Sequence, residues 1–149
     1  MKRLFIATAL SLLAVFSFTT LVSAADEKDH RVVIHVDEND KALMNLALNN
    51  ITNINKYYES VGETVEIELV AYGPGLHMFR ADTSPVVDRV TNMSLLHENL
   101  TFSACANTHA VMSKKADKEI ELLEEAAMVP SGVVQLIALQ EEGYAYIRP

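Results

Sequence analysis

The fold is decided by the stretch Leu100-Thr-Phe-Ser-Ala-Cys105-Ala-Asn-Thr-His109-Ala-Val-Met-Ser-Lys-Lys115. Its first half predicts a short buried strand that ends at Cys105, and its second half predicts a helix from Thr108 to Lys115. Cys105 then lies at the carboxyl end of a strand, where ligands and catalytic groups collect in α/β sheets. Because free amide N–H groups and the positive end of a helix favour an anion there, this location favours a thiolate and makes Cys105 a candidate nucleophile.

A second interpretation of Cys105 stays open. Free cysteine is among the most buried residue types and often behaves as a small hydrophobic residue. Cys105 is also the only cysteine in the sequence. Exported proteins normally pair their cysteines in disulfides, so a single thiol in such a protein indicates a free reactive thiol or an intermolecular bond. Export, if it occurs, therefore favours the functional interpretation.

The amino terminus has the features of a secretory signal. Lys2 and Arg3 precede an apolar run from Leu4 to Leu21, and Val22-Ser-Ala24 fits the small-residue cleavage pattern. We predict that residues 1–24 are a signal peptide cleaved after about Ala24 and that residues 25–149 form one domain. The mature protein is then periplasmic or secreted and has no membrane contact after cleavage.

Composition and charge limit the classes of partner. The 149-residue chain is 50% hydrophobic, which is enough for one domain with a sizeable core. Its net charge of −8 at pH 7 argues against a nucleic-acid backbone and against an anionic lipid surface as partner.

Outward from the central stretch, strands and helices alternate along the chain. Further strands are predicted at 31–37, 64–71, 126–129 and 144–148. Further helices are predicted at 41–60, at 85–97, and from Pro130-Ser-Gly132 to Gly143. Asn39 or Asp40 is the expected N-cap of the first helix, and Gly62 is its expected end. This alternation predicts an α/β fold, a three-layer α/β/α sandwich with a mostly parallel sheet of about five strands.

Hydrophobic patterns predict which positions are buried. The strand at 31–37 is apolar throughout, which is typical of a central strand, with His35 as a satisfied core histidine. Glu66 and Glu68 alternate with apolar residues, so the second strand is expected to be an outer strand with one solvent-exposed face or end. One helical turn is expected within 116–125, with Ile120 and Leu123 facing inward. The residues of the last helix expected to pack inward are Val133, Val134, Leu136, Ile137 and Leu139.

A second candidate pocket follows the second predicted strand. Gly73-Pro-Gly75 breaks this strand sharply, and a glycine-flanked turn at the carboxyl end of a strand favours a ligand pocket. The turn lacks the GxGxxG and Walker patterns, so no nucleotide cofactor is inferred.

The mature chain resembles the DsrE/DsrF-like family, some members of which handle sulfur. The resemblance spans residues 31–149 and is strongest in Phe102-Ser-Ala-Cys-Ala-Asn-Thr108 and in Val129-Pro-Ser-Gly-Val-Val-Gln-Leu-Ile-Ala-Leu-Gln-Glu-Glu-Gly-Tyr-Ala-Tyr-Ile-Arg-Pro149, where it matches an exported branch. It implies a three-layer sandwich assembled as a homo-oligomer, a trimer or a hexamer. It also implies that Cys105 occupies the place of a persulfide-carrying cysteine, although the sulfur-relay members are cytoplasmic and some members lack that cysteine.

Neighbours of Cys105 are auxiliary candidates. Asn107 and Thr108 are placed to bond to a thiolate or to cap the helix, and His109 is one helical turn beyond Cys105. Cys105 and His109 are only two ligands, whereas a zinc site normally has three or four, so we predict neither a metal nor another cofactor. Gly73 and Gly75 complete the set of candidate site residues.

Two function classes follow from these features. The first is a sulfurtransferase or sulfur carrier, in which thiolate Cys105 takes a sulfane sulfur from a donor protein or molecule and passes it to an acceptor. The second is a non-enzymatic oligomeric module that binds a small ligand or a protein and in which Cys105 is buried and inert. The accessibility of the thiol discriminates between them, and the sequence alone leaves open whether the protein is an enzyme.

Overall fold

The computed structural model describes residues 29–149, and the predicted signal peptide lies outside these residues. The strands, in chain order, are β1 (His30–Val36), β2 (Val65–Ala71), β3 (Leu100–Cys105), β4 (Ala126–Val129) and β5 (Ala145–Ile147). The helices are α1 (Lys41–Val61), α2 (Val87–Leu96), α3 (Ala106–Ala116) and α4 (Gly132–Glu141), together with a 3₁₀ helix at Gly73–Phe79. Within the described residues, no helix is long and apolar enough to cross a membrane.

The strands form one five-stranded sheet in the order β4-β3-β2-β1-β5. All four neighbouring pairs are parallel, which confirms the predicted α/β fold. The expectation that β2 is an outer strand was wrong, because β2 lies in the centre of the sheet. Glu68 is 8% exposed and is held by hydrogen bonds from Ser103 Oγ and from Gln135 Nε2. Neighbouring side chains, and not water, therefore satisfy this carboxylate. For this reason, the alternation of glutamate with apolar residues did not indicate a solvent-exposed strand.

Strand order explains which face each helix covers. β1 to β4 follow one another across the sheet in one direction, so right-handed connections place their helices on one face. The main core forms there, with alternate residues of β1 (Val32, Ile34) packed with Met44 and Leu48 of α1. The chain then returns from β4 to β5 at the other edge, so α4 covers the opposite face. The result is the predicted three-layer sandwich, in which Leu136 of α4 packs with Val33 of β1 and Val70 of β2.

The capping residues in the sequence predicted both ends of α1 correctly. The side chain of Asp40 accepts a 2.8 Å hydrogen bond from the backbone N–H of Leu43, as expected of an N-cap. Gly62 ends the helix in the left-handed conformation, with φ of 76°.

Two predictions around α2 and α3 need correction. α2 begins at Val87 and not at Pro85, because Ser84 Oγ accepts the backbone N–H of Val86 in a turn that precedes the helix. The predicted helical turn within 116–125 is absent. Ile120 is nevertheless buried, 3% exposed, and Leu123 packs against the main core from an extended segment, so burial was predicted correctly without the helix.

The inward orientation of α4 was only partly correct. Leu136 and Leu139 are buried, but Val133, Val134 and Ile137 are 50%, 59% and 51% exposed. Because α4 is apolar around most of its circumference, its sequence does not indicate which side faces the sheet. The outer side of α4 is therefore an apolar surface of the chain.

Candidate functional site

The candidate site lies at the carboxyl edge of the sheet, where three chain segments meet. Cys105 is the last residue of β3 and pairs with Val129, the last residue of β4, and α4 begins shortly beyond. Ala71 of β2 pairs with Ala104, so Tyr72 and Gly73 leave β2 beside Cys105. Cys105 is also the N-cap of α3, which confirms the predicted strand-to-helix turn. The helix begins at Ala106 and not at Thr108, so Thr108 lies in its first turn and is not its cap.

Hydrogen-bond donors surround the sulfur of Cys105. The backbone N–H of Thr108 donates to Sγ at 3.5 Å, and the Thr108 hydroxyl also lowers the pKa of the thiol. The backbone N–H groups of Gly132 and Asn107 act on that pKa in the same direction. The donors thus come from the first turn of α3 and from the first residue of α4, two helix ends that both favour negative charge.

Burial and hydrogen bonding act on the Cys105 thiol in opposite directions. The residue is 4% exposed, and this burial raises the pKa of the thiol because it disfavours a charged sulfur. The hydrogen bonds from Thr108, Gly132 and Asn107 lower that pKa, and together they outweigh burial, so the pKa of Cys105 lies below its ordinary value. The site therefore stabilises a thiolate that water scarcely reaches.

Gly132 permits the close approach of α4 to Cys105. A Cβ at this position would lie 2.9 Å from Cβ and Cδ1 of Tyr72 and 3.2 Å from Cβ of Cys105. These distances are shorter than van der Waals contact, so a side chain here would move α4 away from the sulfur. The Pro130-Ser-Gly132 block that opens α4 was the sequence signal for this role, which was not predicted.

Three of the auxiliary candidates line one groove. Gly73, Asn107 and Thr108 lie in the wall of a cavity of about 580 Å³ between the 3₁₀ helix and α3. Cys105 does not line this groove and contacts its wall through Thr108, whose Oγ1 accepts a 3.0 Å hydrogen bond from the backbone N–H of Gly73. The two predicted features, the thiol and the glycine-flanked turn, are thus joined by Thr108.

Gly75 and His109 lie outside this groove. Gly75 is buried against the end of β1, where a Cβ would collide with the Val36 carbonyl oxygen, so it serves packing. His109 donates from Nε2 to the carbonyl of Ile120 at 2.7 Å and lines a separate depression that also contains Met128. The structure therefore gives His109 a structural hydrogen bond and no contact with Sγ.

The structure brings no metal-ligand set together at the site. Among residues 29–149, no group of three or more His, Cys, Asp or Glu side chains could hold a metal ion. His77 lines the groove and donates from Nε2 to the Thr83 carbonyl at 3.0 Å, whereas His97 lines a different depression with Asn99.

An aromatic cluster beside Cys105 was not predicted. The ring of Tyr72 stacks on His35 with centroids 4.6 Å apart, and His35 Nδ1 is 2.7 Å from the hydroxyl of Tyr146. His35 is 4% exposed, and its Nε2 has no hydrogen-bond partner among the described residues, so only one of its two ring nitrogens forms a hydrogen bond. Burial is the main cause that lowers the pKa of His35 and the main cause that raises the pKa of Tyr72. The position of Tyr72 directly before Gly73 was the available signal for this cluster.

Comparison with known proteins places this arrangement in a family. A model described as the DsrE/DsrF-like family matches residues 16–149. Among solved structures, MTH1491 from Methanobacterium thermoautotrophicum, described as a protein of unknown function, is 36% identical to this chain with a TM-score of 0.69. The match covers 81% of this chain and 100% of that one. Comparison with curated proteins gives no significant match.

Proposed function

The chain belongs to the DsrE/DsrF-like family, and we propose that it is a sulfur carrier in which Cys105 holds a persulfide and passes its outer sulfur to a partner. The proposal rests on the hydrogen-bond donors around Sγ, which stabilise negative charge on the only sulfur that forms a thiolate. The thiolate, not the thiol, attacks a sulfane sulfur.

The transfer step is a displacement at sulfur. The Cys105 thiolate attacks the sulfane sulfur of a donor, a new S–S bond forms at Sγ, and the S–S bond of the donor breaks. A persulfide donor leaves as its thiolate, and thiosulfate leaves as sulfite, with the electron pair of the broken bond. The two electrons of the new bond come from Sγ, so no external oxidant or reductant is needed. An acceptor thiolate reverses the process and releases Cys105.

Burial of Cys105 limits access to its sulfur. A donor reaches a sulfur that is 4% exposed only if the surrounding segments, Tyr72 and the start of α4, move. Exclusion of water protects a persulfide from loss of its outer sulfur to other nucleophiles. We therefore expect loading to be slower than the reaction of an exposed thiol, and the loaded protein to be long-lived.

The test is intact-mass measurement of the folded protein before and after exposure to polysulfide or thiosulfate. We expect a mass increase of one sulfur atom per chain, which a thiol reductant reverses. Cys105→Ser should show no increase, and Ser131→Ala, beside Gly132 but without a side-chain capping bond, should load like the wild type. Absence of loading in the folded wild type, with loading or alkylation only after denaturation, overturns the proposal.

That overturning result would favour the second function, a non-enzymatic binding module. Two observations support this alternative, namely the burial of Cys105 and the groove beside Thr108, which exists independently of the thiol. In this case Cys105 is a packing residue, and its replacement by serine changes stability but no activity.

We further propose that the chain assembles as a symmetric homo-oligomer, a trimer or a hexamer, through the outer side of α4. Val133, Val134 and Ile137 lie on this side, and Ile137 neighbours both valines because it follows them by four and three residues. The ten-residue α4 is also the only helix that covers its face of the sheet within the described residues. A second copy fits as the occupant because a cyclic assembly covers the same apolar side on every chain at once.

A further inference from the structure

The groove between the 3₁₀ helix and α3 has the dimensions of a small-molecule site. Its volume of about 580 Å³ lies within the range of roughly 300–1,000 Å³ that is typical of ligand pockets. Its walls are the turn after β2 and one side of α3, two elements joined to each other by the Gly73–Thr108 hydrogen bond. The groove is thus preformed by the fold.

One wall of the groove is apolar. Val111 and Met112 of α3 and Pro74 of the 3₁₀ helix supply it. Val111 is 52% exposed, although it lies on a helix whose inward side packs against the core through Met112. An exposed β-branched residue beside a concave surface provides area that a ligand hydrocarbon can bury.

The charge of the groove is opposite to that of the chain. The whole sequence has 20 acidic and 12 basic residues, yet the described residues that line the groove include Lys115 and no carboxylate. Lys115 forms no ion pair within residues 29–149. The amides of Asn39 and Asn107 add neutral hydrogen-bonding groups. A groove with one unpaired cation and an apolar wall complements an anion that carries a hydrocarbon body.

We propose that this groove binds a small organic anion, with a carboxylate or sulfonate at Lys115 and a hydrocarbon body against Val111 and Met112. The volume of the groove selects a small molecule over a protein segment, and the cation selects an anion over a neutral or cationic amphiphile. This binding does not rest on sulfur transfer, because Cys105 does not line the groove.

The test uses sodium octanoate as the probe and octylammonium chloride as its cationic counterpart. The two are titrated into the ¹⁵N-labelled mature protein at matched ionic strength, with amide chemical shifts as the readout. We expect octanoate to shift the amides of Gly73, Asn107, Thr108 and Val111 in a saturable manner, and octylammonium to shift them far less. Cys105→Ser should bind octanoate like the wild type, which separates a failure here from a failure of sulfur loading.

Two variants and one matched control locate the anion. Lys115→Ala should weaken octanoate binding about threefold, the loss expected for one exposed ion pair. Val111→Glu should abolish saturable binding because it adds a negative charge to the apolar wall. Lys114→Ala removes the neighbouring cation of α3, which lies outside the groove, and should change nothing.

Three results overturn the proposal. The first is absence of saturable shifts up to about 10 mM octanoate, which corresponds to a binding free energy weaker than about −3 kcal/mol. The second is equal binding of octylammonium, or equal losses in Lys114→Ala and Lys115→Ala. The third is a change of the same amides with protein concentration alone, which identifies a second copy of the chain as the occupant.

Discussion

The backbone N–H of Gly73 donates a 3.0 Å hydrogen bond to Oγ1 of Thr108, and the backbone N–H of Thr108 donates to Sγ of Cys105 at 3.5 Å. Thr108 thus joins the turn after β2 to the thiol at the end of β3. Its hydroxyl accepts one hydrogen bond and its backbone N–H donates the other, so both form together. The thiol and the groove are neighbouring sites that share this residue.

The first prediction concerns this hydroxyl. Thr108→Val keeps the shape of the side chain and removes the hydroxyl, which lowers the pKa of Cys105 and accepts from Gly73. The pKa of the thiol should therefore rise and the thiolate fraction at neutral pH should fall. We expect iodoacetamide to alkylate the folded variant about fivefold more slowly, since a hydrogen bond to a charged group contributes about 1.5–3 kcal/mol. The smaller thiolate fraction is partly offset because a thiolate of higher pKa is a stronger nucleophile. Thr108→Ser, which restores the hydroxyl, should react like the wild type. Equal alkylation rates in all three proteins would exclude this role.

The second prediction concerns the approach of α4 to the sulfur. Gly132→Ala places a Cβ against Tyr72 and Cys105, which should destabilise the fold by about 1–3 kcal/mol, the usual cost of overpacking. It should also raise the pKa of Cys105, because the N–H donor at residue 132 moves away. Urea denaturation and the pH dependence of alkylation measure the two effects. Ser131→Ala is the control and should stay within about 0.5 kcal/mol of the wild type; a Gly132→Ala protein equal to this control contradicts the prediction.

The third prediction concerns His35. Burial lowers its pKa in the folded state, so on acidification the unfolded chain takes up a proton before the folded chain does. Stability from this residue is present above the unfolded pKa of about 6.5 and is lost as the pH falls through the lower folded value. We expect urea denaturation to show a loss of stability as the pH falls below about 6.5. His35→Phe keeps a ring against Tyr72 and should show a shallower loss; an unchanged pH dependence would assign the effect to other groups.

The fourth prediction concerns the outer side of α4. Light scattering of the wild type should give the mass of a trimer or hexamer, and Val134→Asp with Ile137→Asp should reduce it to one chain without loss of the circular dichroism of the fold. The reason is that two carboxylates at an apolar interface are costly to bury. Leu95→Asp alters an equally apolar residue, 78% exposed on α2, and should leave the assembly intact. A wild type with the mass of one chain at all concentrations removes the basis of the prediction.

The fifth prediction concerns export. The basic start at Lys2 and Arg3 and the Val22-Ser-Ala24 pattern predict cleavage by signal peptidase. Amino-terminal sequencing of the protein from its native source should give Ala25 or a residue within one or two positions of it. Protein that retains Met1 and stays in the membrane fraction would argue for an uncleaved anchor instead.

Several features of the site were predictable from the sequence. The turn at Cys105 followed from the change of an apolar strand pattern into a helical one, and the alternation of elements gave the three-layer sandwich. Thr108 and Asn107 were expected near the thiol because they lie in the first turn of the same helix. Each of these inferences depends on residues within a few positions of one another, where local backbone geometry dictates contact.

The sequence by itself determined the strands, the four main helices and both ends of α1, at Asp40 and Gly62, because caps and periodicity act within one or two turns. Only the tertiary structure decided that Gly132 lies against Cys105, that Glu68 is buried between Ser103 and Gln135, and that Val134 faces outward. These facts depend on strand order, which brings together segments far apart in the chain. Hydrophobic patterns record whether a side chain prefers burial, but not which distant neighbour buries it or satisfies its hydrogen bonds.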